Sequence, residues 1–133
     1  MERNEKTEEL AGYKKKSFAL PYNNGEIWFE HLDGIYDKED LVLKKLSSDR
    51  SQFTRPSSTA YICFVLDETT VTASIRLAVI DSILKSSKRF MKVAFTGLDK
   101  PNKRMFLKEL SKRGFALGFF AGLEDAKMWF LPV

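Results

Sequence analysis

The 133-residue sequence predicts one α/β domain of order ββαβαβαβα, with a mostly parallel central sheet flanked by helices. Three observations predict it. A continuous apolar run, Tyr61-Ile62-Cys63-Phe64-Val65-Leu66, ends at Asp67, as a strand buried on both faces does. Further short apolar runs, Met91–Thr96 and Phe115–Phe120, alternate with segments whose apolar residues recur at helical steps of three and four. Successive strand–helix–strand units take right-handed crossovers, which make most of the sheet parallel.

Residues 1–16 mix Glu and Lys with few apolar anchors and read as a mobile charged tail, leaving residues 17–133 as the domain. Ser17–Leu20 reads as a short edge strand ended by Pro21. Asn23-Asn24-Gly25 then turns the chain into a second strand, Glu26–Leu32, a hairpin signature closed by Asp33-Gly34. Asp37 reads as the cap of the first helix, with Asp40 in its positive first turn and Leu41, Val42 and Leu46 facing inward. Ser47–Thr59 is polar and contains Arg55-Pro56-Ser57-Ser58, so it reads as the loop before the central strand.

After Glu68-Thr69-Thr70, a helix over Thr72–Leu84 carries Ile75, Val79 and Ile83 at steps of four. A second stripe, Leu77, Ile80 and Leu84, predicts deep burial. Gly97 closes the next strand. Asp99 is placed to cap the third helix and Pro101 to sit in its first turn, with Phe106, Leu107 and Leu110 inside and Gly114 as the stop. The last strand turns at Gly122 into a terminal helix with Glu124-Asp125 in its first turn, packed through Ala126, Trp129 and Phe130.

No apolar run approaches the ~20 residues that span a bilayer, and the opening MERNEKTEEL is charged throughout, unlike a signal peptide. Cys63 is the single cysteine, so no intrachain disulfide forms, and no Cys/His cluster supplies a zinc site. A cytoplasmic, reducing compartment is expected. The net charge of +4 is unevenly spread: residues 85–113 hold 10 basic and 2 acidic groups, against 11 and 14 in residues 1–84. Such asymmetry marks either a solvated helix face or a surface for an anionic partner.

Catalytic motifs are absent. Neither GxxxxGK[ST] nor GxGxxG occurs, so no phosphate cradle is legible. His31, the only histidine, has no second histidine for a metal site, and no nucleophile has an evident base. Asp67 stands where a receiver domain carries its phospho-accepting aspartate, but the last strand ends Phe119-Phe120-Ala121 and offers no cation. Gly114, Gly118 and Gly122 repeat at steps of four in a stretch too short for membrane helix packing. No catalytic residue, cofactor or metal is therefore expected, and the chain reads as a non-enzyme.

The element order, the strand Ile62–Asp67 with its following helix, the segment Lys92-Val93-Ala94-Phe95-Thr96-Gly97 and the ending FAGLEDAKMWFL together resemble the STAS superfamily. Within it, the chain looks like the stand-alone bacterial SpoIIAA-like group, whose members carry a KVAxxG strand and an FxxxEEAxxWL final helix. The resemblance covers about residues 25–131. It implies a SpoIIAA-like fold and a regulatory, protein-binding role related to anti-sigma factor antagonists. In phospho-regulated members a D-S-S-G-L-type turn carries the phosphorylated serine; here Ser74 stands nearest that serine and Thr72 replaces the aspartate, with no Gly-Leu pair.

Two functions are thus expected to compete. The first is a non-catalytic interaction module whose partner, another protein, meets the loop bearing Asp67, Thr69, Thr70, Thr72 and Ser74. The alternative binds an anionic ligand, lipid headgroup or nucleic acid through Lys100, Lys103, Arg104, Lys108 and Lys112 on a basic helix over residues 100–113. Oligomeric state is not legible.

Overall fold

A computed structural model describes residues 16–22, 25–54, 59–86 and 90–131. Residues 1–15 of the predicted tail, Asn23-Asn24 of the predicted turn and Arg55–Ser58 of the predicted loop lie outside the described residues. Five strands and four helices follow in the order β1 (Phe18–Tyr22), β2 (Gly25–His31), α1 (Glu39–Phe53), β3 (Thr59–Val65), α2 (Ala73–Ser86), β4 (Lys92–Thr96), α3 (Lys100–Leu110), β5 (Ala116–Phe120) and α4 (Leu123–Phe130).

The sheet order is β1-β2-β3-β4-β5. β1 runs antiparallel to β2, and every later neighbour is parallel. The strand order never reverses, so three right-handed crossovers in succession place α1, α2 and α3 on one face. Their buried residues, Val42, Leu46, Phe53, Ile75, Val79, Ile83, Phe106 and Leu110, pack with Trp28, Ile62, Phe64, Val93 and Phe95 of the sheet. The opposite face carries Ile27, Phe29, Cys63, Val65 and Ala94, covered by Ala126 and Phe130 of α4. Central β3 is buried on both sides, which explains why its sequence is apolar without alternation.

Several expectations are corrected. Pro21 does not end β1; it pairs with Glu26, and an edge strand tolerates a residue without an N–H because one side of it has no ladder to serve. Asp37 does not cap α1. The residue before the helix is Lys38, with no side-chain cap, while Glu39 and Asp40 supply the acidic first turn. Ser47–Phe53 is helix rather than loop, because Phe53, seven residues beyond Leu46, returns to the same face after two turns and is fully buried. Leu77 is 64% exposed and Leu107 49%, so neither belongs to the inner stripes assigned to them. Asp99 does cap α3, its Oδ1 accepting from Asn102 N–H at 2.9 Å, and Pro101 lies in the first turn.

Candidate functional site

The connections that leave the C-terminal ends of β2, β3 and β4 meet at one end of the sheet. In open α/β sheets this end is where ligands bind, commonly in the crevice formed where strand order reverses. Here the order has no reversal, so the loops themselves must shape any recess. They are tied by backbone hydrogen bonds: Gly34 N–H donates to the Asp67 carbonyl (2.8 Å), Tyr36 N–H to the Glu68 carbonyl (2.9 Å) and Thr70 N–H to the Tyr36 carbonyl (2.8 Å). Tyr36 and Glu68 take left-handed backbone angles, φ 55° and 57°, in this tie.

Of the predicted site residues, three are engaged in holding the loops. The Asp67 carboxylate accepts from Thr96 Oγ1 at 2.5 Å. Thr69 Oγ1 donates to the Leu32 carbonyl (2.6 Å) and accepts from Ile35 N–H (3.1 Å), so its hydroxyl fixes the β2–α1 loop against the β3–α2 loop. Thr72 caps α2 by accepting from Ile75 N–H (3.2 Å) while donating to the Glu39 carboxylate. Thr70 and Ser74 remain exposed. Ser74 is the second residue of α2, in the turn whose backbone N–H groups are unpaired within the helix.

Beside Thr70 lies a polar cleft of about 240 Å³, lined by Thr69, Thr70, Val71, Gly97, Asp99 and Asn102 together with Leu98. Its floor depends on Gly97, which has φ 78° and runs against the Asp67 backbone. Asn102 braces the far wall, donating to the Val71 carbonyl (3.4 Å) and accepting from Arg76 (3.3 Å). Two exposed residues lie on the same loops and helix: Tyr36, 54% exposed, whose carbonyl accepts from Thr70 N–H, and Leu77, 64% exposed, one turn along α2 from Ser74. Gly97 was legible as a strand terminator only, since its contact with Asp67 joins residues thirty apart.

The basic residues assigned to the alternative site do share α3, except Lys112, which follows the helix end at Leu110. Lys100, Arg104, Lys108 and Lys112 are exposed and Lys103 is half-buried.

A second polar cluster lies between β1, β2 and α1. Glu30 is fully buried, with Oε1 accepting from Trp28 Nε1 (2.8 Å) and Oε2 facing no hydrogen-bond partner. Burial drives its carboxyl well above the usual glutamate range; the neighbouring Asp49 carboxylate pushes it further, against the opposing pull of Trp28 and Lys45. Ser17 Oγ donates to Asp49 (2.8 Å) and accepts from Lys45 Nζ (2.9 Å), which also pairs with Asp49 (3.2 Å). The Ser17 hydroxyl also accepts from His31 N–H (2.9 Å), so its bonds to Lys45, Asp49 and β2 are all engaged and the cluster anchors β1 to α1. On the opposite sheet face His31 Nδ1 meets Asp33 Oδ1 at 2.9 Å. Among the described residues no three of His, Cys, Asp and Glu converge to hold a metal ion, and no helix is long and apolar enough to cross a membrane.

No protein-family model, no curated protein and no solved structure matches the chain.

Proposed function

We propose that the chain is a non-catalytic, STAS-like regulatory module that binds another protein through the end of the sheet bearing the cleft, with Ser74 as the residue that switches binding. The observation that carries this reading is the pairing of Ser74 with Leu77: a free hydroxyl and a large apolar side chain stand exposed three residues apart at the start of α2. Residues three apart are neighbours on a helix surface. Tyr36 and Thr70, joined through their backbones, extend the same surface. Exposed aromatic and aliphatic residues beside groups that form hydrogen bonds suit a protein interface.

Chemistry on this loop has little to work with. Asp67 is occupied by Thr96, Thr69 by two backbone groups, and Thr72 by its cap and Glu39. A phosphate on Ser74, by contrast, would stand in the first turn of α2 at the positive end of its dipole, so the fold would accept it. The same dianion beside Leu77 would oppose any partner that buries that leucine, which makes a switch out of one hydroxyl.

The test is phosphate mapping by mass spectrometry on protein recovered from the cells that express it, with Ser74→Ala and Thr70→Ala expressed in parallel. Phosphate on Ser74 that disappears only in Ser74→Ala supports the switch. Stoichiometric recovery of the unmodified Ser74 peptide under all growth conditions removes it.

A further inference from the structure

The far edge of the sheet is open. Among the described residues β5 pairs with β4 alone, and its sequence, Ala116-Leu117-Gly118-Phe119-Phe120, holds none of the charges or prolines that usually guard an edge. The other edge, β1, carries Pro21. Hydrogen bonding fixes which β5 groups are free. Ala116 N–H donates to the Met91 carbonyl (2.9 Å) and the Phe120 carbonyl accepts from Gly97 N–H (3.3 Å), so these residues bond toward β4. In a parallel ladder alternate residues bond to opposite sides. Gly118 therefore joins Ala116 and Phe120, while Leu117 and Phe119 direct both N–H and C=O outward.

The flank of α3 beside this edge is basic. Phe106 and Leu110 point into the core, and Asn102, bonded to Val71 and Arg76, marks the side that meets α2. At about 100° per residue, Lys103, Leu107, Lys100 and Arg104 fall on the other side, toward β5. Leu107 is half-exposed there, between cations.

We propose that β5 is a docking strand for an extended acidic peptide, whose backbone pairs with Leu117 and Phe119 and whose carboxylates meet Lys100, Lys103 and Arg104. The pairing selects a polypeptide over a nucleic acid: the edge offers alternating donors and acceptors, which a peptide backbone matches and a phosphodiester, holding acceptors only, does not. The charge of α3 selects an acidic one, and Leu107 provides an apolar seat between the cations. This edge lies apart from the Ser74–Leu77 surface, and the inference stands independently of the switch.

The experiment uses the full chain and a fluorescein-labelled peptide of alternating glutamate and valine, followed by anisotropy and by amide hydrogen exchange. Binding is expected to weaken with salt and by about fivefold for each of Lys103→Glu and Arg104→Glu. The amides of Leu117 and Phe119 gain protection on binding while that of Gly118 is unchanged. The same peptide with alternate backbone nitrogens methylated keeps its charge and loses its affinity. Equal binding of the methylated peptide, or binding with no added protection at Leu117 and Phe119, reduces the surface to a charge patch and overturns the proposal. So does tighter binding of a single-stranded oligonucleotide that leaves those amides unprotected. Concentration-dependent self-association that protects the two amides without peptide assigns the edge to a second copy, and this also overturns it.

Discussion

Gly97 crosses the chain at Asp67 so closely that a β-carbon added to it would lie 2.5 Å from the Asp67 Cα and 2.6 Å from its backbone nitrogen. With φ 78°, the position is also closed to most side chains on conformational grounds. The contact sits under the cleft and joins the ends of β3 and β4.

Gly97→Ala should consequently cost about 3 kcal/mol, from left-handed strain together with a clash that only backbone movement relieves. Gly114, also at positive φ but with open space around it, is the control: Gly114→Ala pays the conformational part alone, about 1 kcal/mol. Urea unfolding of both variants checks this, and equal losses would show that the Asp67 contact is not what demands glycine.

Thr69 and Thr70 are adjacent and chemically identical, yet it is the Thr69 hydroxyl that bridges two loops, whereas Thr70 ties them through its backbone N–H. Thr69→Val leaves the Leu32 carbonyl and Ile35 N–H without their partner and should cost about 1–3 kcal/mol. Thr70→Val, at an exposed position, should change stability by less than about 0.5 kcal/mol. The two denaturation midpoints decide the matter.

Glu30 gives the stability a pH dependence of defined sign. Its carboxyl titrates higher in the fold than in the unfolded chain, so the folded state holds the extra proton between the two values. The stability that Glu30 contributes is complete below the ordinary glutamate range and is lost as pH rises toward the folded value. Glu30→Gln keeps an acceptor for Trp28 and stays uncharged at every pH. Relative to wild type it should gain stability as pH rises above the ordinary glutamate range. Parallel pH profiles for the two proteins would contradict this.

Cys63 lies fully buried beneath α4, and burial pushes its thiol well above the usual range, with the Asp67 charge adding to the shift. The thiolate is the reactive form, so Cys63 should react with thiol reagents only through opening of the fold. Its labelling rate should rise with urea in step with unfolding; rapid labelling of the native protein would show that α4 does not cover the sheet.

The parts of this structure that were legible in the sequence are those governed by local pattern. β3 announced itself by an unbroken apolar run, α2 by Ile75, Val79 and Ile83, and the start of α3 by Asp99 and Pro101. The second half of α1 was hidden because Ser47–Gln52 is polar and Phe53 alone marks the inner face. Leu77 and Leu107 were misplaced since periodicity identifies a stripe but not how far neighbouring helices reach around it. At the site, the hydroxyls from Thr69 to Ser74 were evident, whereas the division between anchoring and free ones came from contacts with Leu32, Ile35 and Glu39, more than thirty residues away. The roles of Gly97 and Tyr36 arise wholly from such distant contacts.

Photo-crosslinking in the expressing cells reads whether a protein partner meets the Ser74–Leu77 surface under control of Ser74. A photoreactive amino acid replaces Thr70 in a wild-type and in a Ser74→Asp background, and replaces Lys44, exposed on α1, as the control. One discrete heavier adduct is expected from position 70 in the wild-type background, lost with Ser74→Asp, and none from position 44. No adduct from position 70, or the same adduct at equal yield from position 44 or with Ser74→Asp, would contradict this.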